Sequence, residues 1–170
     1  MIVGNAICSI LDGMTIEVNN ETIAIHNNLG NQDALDKFIA ARDNVSAEKF
    51  PLIFYVIAPV KEFNGWKYCT TDLIIMVSTK EPSTYKDRTD ETYIPYIEPI
   101  YQKIRTTLTK HSFFQNMERS QNERFSYTDV PNFGISKNNM GEGKSKESVV
   151  TEYVDARIIK MNFRIKTNCI

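Results

Sequence analysis

The sequence contains few of the residues that build catalytic and metal sites. Its 170 residues include two histidines and three cysteines. His26 and His111 stand in no His-x-His or His-Glu-x-x-His spacing, and no Cys-x-x-Cys pair occurs, so we do not expect a structural zinc site. The cysteines are Cys8, Cys69 and Cys169, and their odd number and wide separation favour reduced thiols in a cytosolic setting over a disulfide framework.

Motifs that signal catalysis or phosphate binding are also missing. No Gly-x-Ser-x-Gly nucleophile elbow occurs in the sequence. Residues 141–144 read Gly-Glu-Gly-Lys, but they lack the spacing and the preceding strand of a phosphate-binding loop, so we interpret them as a flexible linker. We therefore expect no catalytic residues, no metal site and no cofactor.

The chain has no excess of charge of one sign and no long hydrophobic run. Twenty basic and twenty-one acidic residues give a net charge of −1, so the bulk charge does not attract nucleic acid or an anionic membrane. The longest apolar run, residues 52–60 with Pro59 inside it, is far shorter than the roughly 20 residues of a membrane helix. Residues 1–8 lack a basic region and a cleavage site, so we interpret them as mature sequence. We expect no membrane partner.

Two dense apolar runs, residues 52–57 and 73–77, are the centre of the predicted fold. Both are short, rich in β-branched and aromatic residues, and apolar on both alternating faces, which is typical of strands covered on both sides. The connection between them is short enough for an antiparallel hairpin, and Pro59, Asn64 and Gly65 break its pattern. We expect its loop to carry Lys61, Glu62 and Trp66.

Helices are needed to cover such a sheet, and the N-terminal sequence supplies two of them. Apolar residues at helical spacing predict one helix over residues 2–11 and another over residues 33–44. Between them, residues 15–18 and 22–25 alternate polar and apolar across Asn19-Asn20, which predicts a tight hairpin. The fold class is therefore α+β: a single domain over residues 1–170, with a mostly antiparallel sheet flanked by helices.

The longest helix is predicted after a polar connection over residues 80–90. We interpret Lys86-Asp87-Arg88 in that connection as a solvated loop. Because proline is tolerated only in the first turn, the helix should begin near Pro95, or loosen if it begins earlier. Its inner face is predicted to carry Ile97, Tyr101, Ile104, Leu108 and His111.

Residues 112–148 form a long polar excursion, which we predict to be an extended loop or arm before the last strand. Loops of this length in a compact domain are usually functional or disordered. This one also contains large apolar residues, so we interpret it as a segment that docks on another protein. The candidate inter-subunit anchors are Phe114, Phe125, Tyr127 and Phe133.

The last predicted strand, residues 153–167, has one basic face. Lys160, Arg164 and Lys166 alternate with apolar residues, and Arg157 is nearby. Cationic side chains in a line could face phosphates, and a solvated strand face is the alternative. Salt-sensitive nucleic-acid binding through these residues would indicate a DNA-binding accessory protein.

Besides a DNA-binding accessory protein, the sequence leaves a second function open, that of a small metal-dependent nuclease. Carboxylates on strands suit magnesium, and a few of the twenty-one acidic residues could assemble around such an ion. The candidates are Asp72, Asp87, Asp90 and Asp155.

Four stretches, taken in order, carry a resemblance to a known family. They are residues 49–53 (Lys-Phe-Pro-Leu-Ile), 72–75 (Asp-Leu-Ile-Ile), 96–101 (Tyr-Ile-Glu-Pro-Ile-Tyr) and 153–159 (Tyr-Val-Asp-Ala-Arg-Ile-Ile). Together they resemble tail-terminator and head-to-tail connector ring proteins from the neck and tail of bacteriophages, including phages and prophages of Bacteroides-type hosts. The resemblance spans residues 33–166.

The resemblance implies a virion structural protein rather than an enzyme. Such a subunit assembles in the host bacterial cytoplasm and closes into a homomeric ring in the neck or tail. Its partners would be further copies of itself, the portal or other ring proteins, and the packaged DNA that passes through the channel without sequence-specific contact. Strand alternation makes Lys160, Arg164 and Lys166 candidates for the channel face. The 112–148 segment and the hairpin tip near Asn19 are candidates for arms.

Overall fold

The described part of the chain forms one large sheet and one small sheet, with helices between groups of strands. The computed structural model describes residues 2–40, 50–57, 60–79, 84–111, 125–133 and 153–166. The elements in these ranges are α1 (Ile2–Leu11), β1 (Thr15–Val18), β2 (Glu21–Ala24), β3 (His26–Gly30), α2 (Gln32–Ala40), β4 (Leu52–Val56), β5 (Val60–Phe63), β6 (Trp66–Thr79), α3 (Tyr85–Arg88), a π-helical stretch (Thr89–Ile97), α4 (Glu98–Lys110), β7 (Phe125–Val130) and β8 (Tyr153–Lys166).

The large sheet has the strand order β3-β4-β6-β8-β7, and β5 pairs with β6 on the same side as β4. Only β3 and β4 are parallel; the other pairs in the described part of the sheet are antiparallel. Strands β1 and β2 form a separate hairpin. The predicted α+β class, with a mostly antiparallel sheet and flanking helices, is confirmed.

The two central apolar runs are adjacent antiparallel strands, as predicted, with Leu52 opposite Met76. The prediction of a loop between them is wrong. Residues 60–63 are strand β5, and β6 begins at Trp66, seven residues before the second apolar run. The turn is Asn64-Gly65, with φ angles of 49° and 73°. Positive φ at both central positions is what a type I′ hairpin turn requires.

The sheet buries apolar side chains on both faces, and successive residues alternate between two cores. Odd-numbered β6 residues such as Leu73 and Ile75 pack with α1, α4 and the β1–β2 hairpin. Even-numbered residues such as Ile74 and Met76 pack with α2 through Leu35. Both faces are therefore dry, which explains why these runs show no polar alternation.

The N-terminal helix and hairpin are confirmed, and one strand there was not predicted. Asn19 and Asn20 have φ angles of 52° and 66° in the turn between β1 and β2. The strand that was not predicted is β3, which pairs with β4 from His26 opposite Leu52. The amide of Ala34 donates to the Asn31 side-chain oxygen (2.9 Å), which caps the start of α2.

The long helical segment begins ten residues earlier than predicted. It runs from Tyr85 through a π-helical stretch to Lys110. Pro95 lies within that stretch, where wider turns accommodate a residue that has no amide hydrogen to donate. Ile97, Tyr101, Ile104 and Leu108 are buried as predicted, whereas His111 follows the helix end and is exposed.

The interpretation of Lys86-Asp87-Arg88 as a solvated loop is wrong. These residues form most of α3, and Arg88 is buried because it pairs with a carboxylate on β8. The predicted 112–148 arm contains strand β7, which pairs with β8 from Phe125 opposite Met161. Residues 112–124 and 134–148 of that arm lie outside the described residues.

We predict that Gly30→Ala lowers the free energy of unfolding by about 1–3 kcal/mol, because an added methyl group overpacks the β3–α2 junction. A Cβ there would lie 2.7 Å from Ala34 Cβ and 3.1 Å from Phe54 Cζ. Urea denaturation measures the change. Ala24→Ser, at an exposed position on β2, is the matched control and should stay within about 0.5 kcal/mol of the unaltered chain. An unchanged midpoint for Gly30→Ala would contradict the packing at this junction.

Candidate functional site

A three-stranded ribbon extends beyond the rest of the large sheet. β6 and β8 pair over 14 residues without a break in register. Among the described residues, β4 pairs with β6 along residues 73–76 only, and β7 pairs with β8 along residues 156–161 only. The remaining ends, residues 66–70 and 162–166, together with β5, form what we call the ribbon. Five residue pairs of a strand span roughly 16 Å.

The ribbon carries most of the exposed large apolar side chains in the described part of the chain. Every residue of β5 is exposed. Phe63 is 66% exposed, and Val60 and Tyr68 are each 39% exposed. The other two such side chains in the described residues are Ile94 and Tyr127. A cluster of exposed apolar groups marks a candidate interaction surface.

The register assigns the ribbon side chains to faces. Phe63 is opposite Trp66, and Lys61 is opposite Tyr68. Residues directly opposite one another in an antiparallel pair share a face, and even-numbered β6 residues share the α2 side with Ile74. Lys61, Phe63 and Tyr68 therefore lie on the α2 side of the sheet.

The predicted basic stripe is divided by this architecture. Lys160 is exposed and lies opposite Asp72, close to the body of the sheet. Arg164 and Lys166 stand at ribbon positions opposite Tyr68 and Trp66, and their side chains lie outside the described residues. The channel-facing role of the stripe stays a prediction.

Arg157, which the sequence places near the stripe, is on the other face and is buried. Its Nε and Nη2 donate to the Asp129 carboxylate at 2.6 and 3.0 Å, and Nη1 donates to Glu98. The guanidinium carbon lies 4.0 Å from the Tyr127 ring centre and 5.2 Å from that of Tyr101. Burial alone would lower the pKa of Arg157, but the two carboxylates raise it, so the arginine stays charged. This cluster fixes β7 to α4.

A second buried ion pair fixes α3 and the π-helical stretch to β8. The Arg88 guanidinium donates from Nη1 to Asp155 Oδ1 and from Nη2 to Asn132 Oδ1 (2.8 Å). Thr92 Oγ1 donates to Asp155 Oδ2 (2.8 Å). The Asp155 side chain is fully buried and that of Arg88 is 10% exposed. Each charge is therefore both paired and hydrogen-bonded, as burial requires.

The predicted anchor residues have different surroundings. Phe125 is buried in the core of this chain, so it does not contribute to its surface. Phe133 packs against the core on the α2 side, and its amide donates to the Val154 carbonyl (2.7 Å). Tyr127 is 48% exposed and covers Arg157. Phe114 lies outside the described residues.

The four carboxylates that were candidates for a metal site have different surroundings. Asp155 accepts from Arg88 and Thr92, while Asp87 accepts from the Thr84 hydroxyl (2.7 Å). Asp72 is half-buried on β6, and Asp90 is exposed on the helix. Across the described ranges, no three His, Cys, Asp or Glu side chains are grouped closely enough to hold a metal ion.

Comparisons with protein-family models and with curated proteins find no match to this chain. Within the described residues, none of the helices has the length and apolar character needed to cross a membrane.

We predict that Asp155→Asn lowers the free energy of unfolding by about 3–5 kcal/mol, because it leaves the Arg88 charge buried without a counter-charge. Urea denaturation measures the loss. Asp12→Asn removes a carboxylate of the same kind at an exposed position after α1 and should change stability by less than about 0.5 kcal/mol. Equal effects of the two substitutions would contradict a stabilising role for the buried pair.

We also predict that Glu98 makes stability depend on pH in the acid range. Burial alone would raise its pKa, but hydrogen bonds from Gln102 and Arg157 hold the pKa below its ordinary value of 4.5. A carboxyl group whose pKa is lower in the folded state than in the unfolded state stabilises the folded state at pH values above the unfolded pKa. This contribution is lost as the pH falls from about 4.5 through the folded pKa. The stability difference between the unaltered chain and Glu98→Gln should therefore shrink as pH falls through that range.

Unfolding by urea at pH 6 and at acid pH measures the Glu98 effect. Thr106→Ser, an exposed change on α4 that removes no carboxyl group, is the control and should give the same small difference at both pH values. A Glu98→Gln difference that does not change with pH would overturn the assignment.

Proposed function

We propose that this chain is a structural subunit of a bacteriophage virion, which forms a homomeric ring in the neck or tail, joins the portal to the tail and surrounds the DNA channel. The observation that carries the proposal is the ribbon, a regular extension of the sheet that presents exposed apolar side chains. Such a projection gives a subunit a surface with which it can reach its neighbour. The resemblance found in the sequence supplies the choice of phage ring proteins.

The packed body of the chain suits a subunit whose function is to hold its contact surfaces in a fixed orientation. A ring subunit must hold a fixed angle between the surface it offers and the surface it accepts. Here the sheet is packed on both faces. The Arg88–Asp155 and Arg157–Glu98 pairs connect the long helical segment to β8, which continues into the ribbon. The ribbon is thus an extension of the packed body rather than a separate lobe.

In this proposal Lys160, Arg164 and Lys166 remain the candidates for the channel face, and the first of them is exposed near the body of the sheet. Lys160 lies opposite Asp72 in the register, which partly balances its charge. Such a balance fits a wall along which DNA passes without a lasting contact. The β1–β2 tip at Asn19 is proposed as a further arm.

The proposed arm over residues 112–148 cannot be tested by deleting all of it. Removing residues 116–146 would also remove β7, and with it Phe125 from the core and the Asp129 carboxylate from Arg157. A deletion that keeps β7 and Phe133, such as residues 136–146, separates assembly from folding.

We predict that the purified chain forms closed rings at high concentration, seen as a mass of several subunits by light scattering and as rings by negative-stain microscopy. Phe63→Ser removes the most exposed apolar side chain of the ribbon and should shift the population to monomer. Thr109→Ser, an exposed change on α4, is the control and should leave the rings intact. A chain that stays monomeric up to millimolar concentration would refute the proposed ring.

A further inference from the structure

The ribbon and the long helical segment present two exposed apolar patches with complementary charges. The ribbon patch consists of Lys61, Phe63 and Tyr68. The helix patch consists of Asp90, Glu91 and Ile94, in the π-helical stretch. Phe63 and Ile94 are 66% and 60% exposed, the two highest values among large apolar side chains in the described residues.

The charges around the two apolar side chains are opposite. On the ribbon, Lys61 is exposed and shares a face with Phe63. On the helix, Asp90 and Glu91 are exposed within one turn of Ile94. None of these three charged groups forms an ion pair with another described residue. Lys86, one turn before Asp90, is also exposed, so the exposed charges of this helix region sum to −1 (one positive, two negative).

The two patches belong to opposite sides of the sheet, so they cannot meet within one chain. Lys61, Phe63 and Tyr68 are on the α2 side. The helix patch belongs to the segment that packs on the other side, where Ile97 and Ile100 enter the core. Different patches on opposite sides of a subunit produce head-to-tail contacts, which close into rings when the rotation permits.

We infer that the ribbon patch of one copy docks on the helix patch of the next copy. Phe63 and Tyr68 pack against Ile94, and Lys61 pairs with Asp90 or Glu91. This inference rests on the proposed ring and names its repeating contact.

Two single substitutions in the full chain break the contact from either side. Phe63→Asp and Ile94→Asp each place a carboxylate at the apolar centre of the interface, and each should weaken self-association by at least about 30-fold. Both positions are exposed in the single chain, so folding should be retained, which circular dichroism and thermal melting verify. Thr106→Asp, exposed on α4, is the matched control and should assemble normally.

Mixing the two variants distinguishes a head-to-tail contact from any other. The Ile94→Asp chain keeps an intact ribbon patch, and the Phe63→Asp chain keeps an intact helix patch. An equimolar mixture therefore has one functional interface and should give a heterodimer of twice the chain mass by light scattering, without rings. Each variant alone should remain monomeric.

The possible results separate this inference from the proposed function. A heterodimer in the mixture supports the inference. Wild-type rings that both substitutions leave intact overturn the inference and leave the ring proposal standing. Open filaments of the wild type that both substitutions dissolve support the contact and refute the closed ring. A mixture that stays monomeric while the wild type assembles overturns the inference.

Discussion

The β6–β8 ladder is the constraint on which the rest of this structure depends. Its 14 residue pairs share one register, with Trp66 opposite Lys166 and Thr79 opposite Tyr153. Because side chains alternate along a strand, that register decides which residues enter each core and which reach the surface. A shift of one residue would exchange the two faces, moving Asp155 and Arg157 away from the helices that contain their partners. The ladder therefore determines which side chains face each way in both the packed body and the ribbon.

The buried arginines convert this register into a fixed arrangement of helices and strands. Arg88 pairs with Asp155, 67 residues further along the chain, and Arg157 joins β8 to Glu98 on α4. Buried pairs of this kind add little net stability compared with apolar packing, because desolvation of the charges is costly. However, any arrangement that leaves one of these charges buried without its partner has a much higher free energy. We therefore interpret them as specifying the position of the helices on the sheet.

Local patterns in the sequence predicted most of the elements. The central strands, the amphipathic helices and the Asn19-Asn20 hairpin follow from hydrophobic spacing and turn chemistry, and these are properties of short stretches. β3 could not be found in this way, because its polar sequence becomes a strand only through pairing with β4. β5 is predictable from the sequence, since Asn64-Gly65 is a strong hairpin signal as well as a break in the apolar pattern.

The candidate site was less predictable for the same physical reason. The burial of Arg88 depends on a partner that is distant in the sequence, and no local pattern distinguishes it from a solvated arginine. The division of the basic stripe depends on where β4 and β7 end, which is a property of the whole sheet. Phe125 and Tyr127 are aromatic residues two positions apart on one strand. They share a face of the sheet, so strand alternation does not distinguish them, yet the first is buried and the second is 48% exposed.

The unbroken ladder also has a mechanical consequence. Hydrogen bonds between antiparallel strands run perpendicular to the strands, so a force directed along the ribbon loads many of them at once in shear. A force directed across the ribbon would instead peel the strands apart, one pair after another. Because β8 continues from the tip into the interior without a bulge, tension applied at the tip reaches Arg157 and Asp155 through backbone alone. The chain is therefore stiff in the one direction in which its projection points.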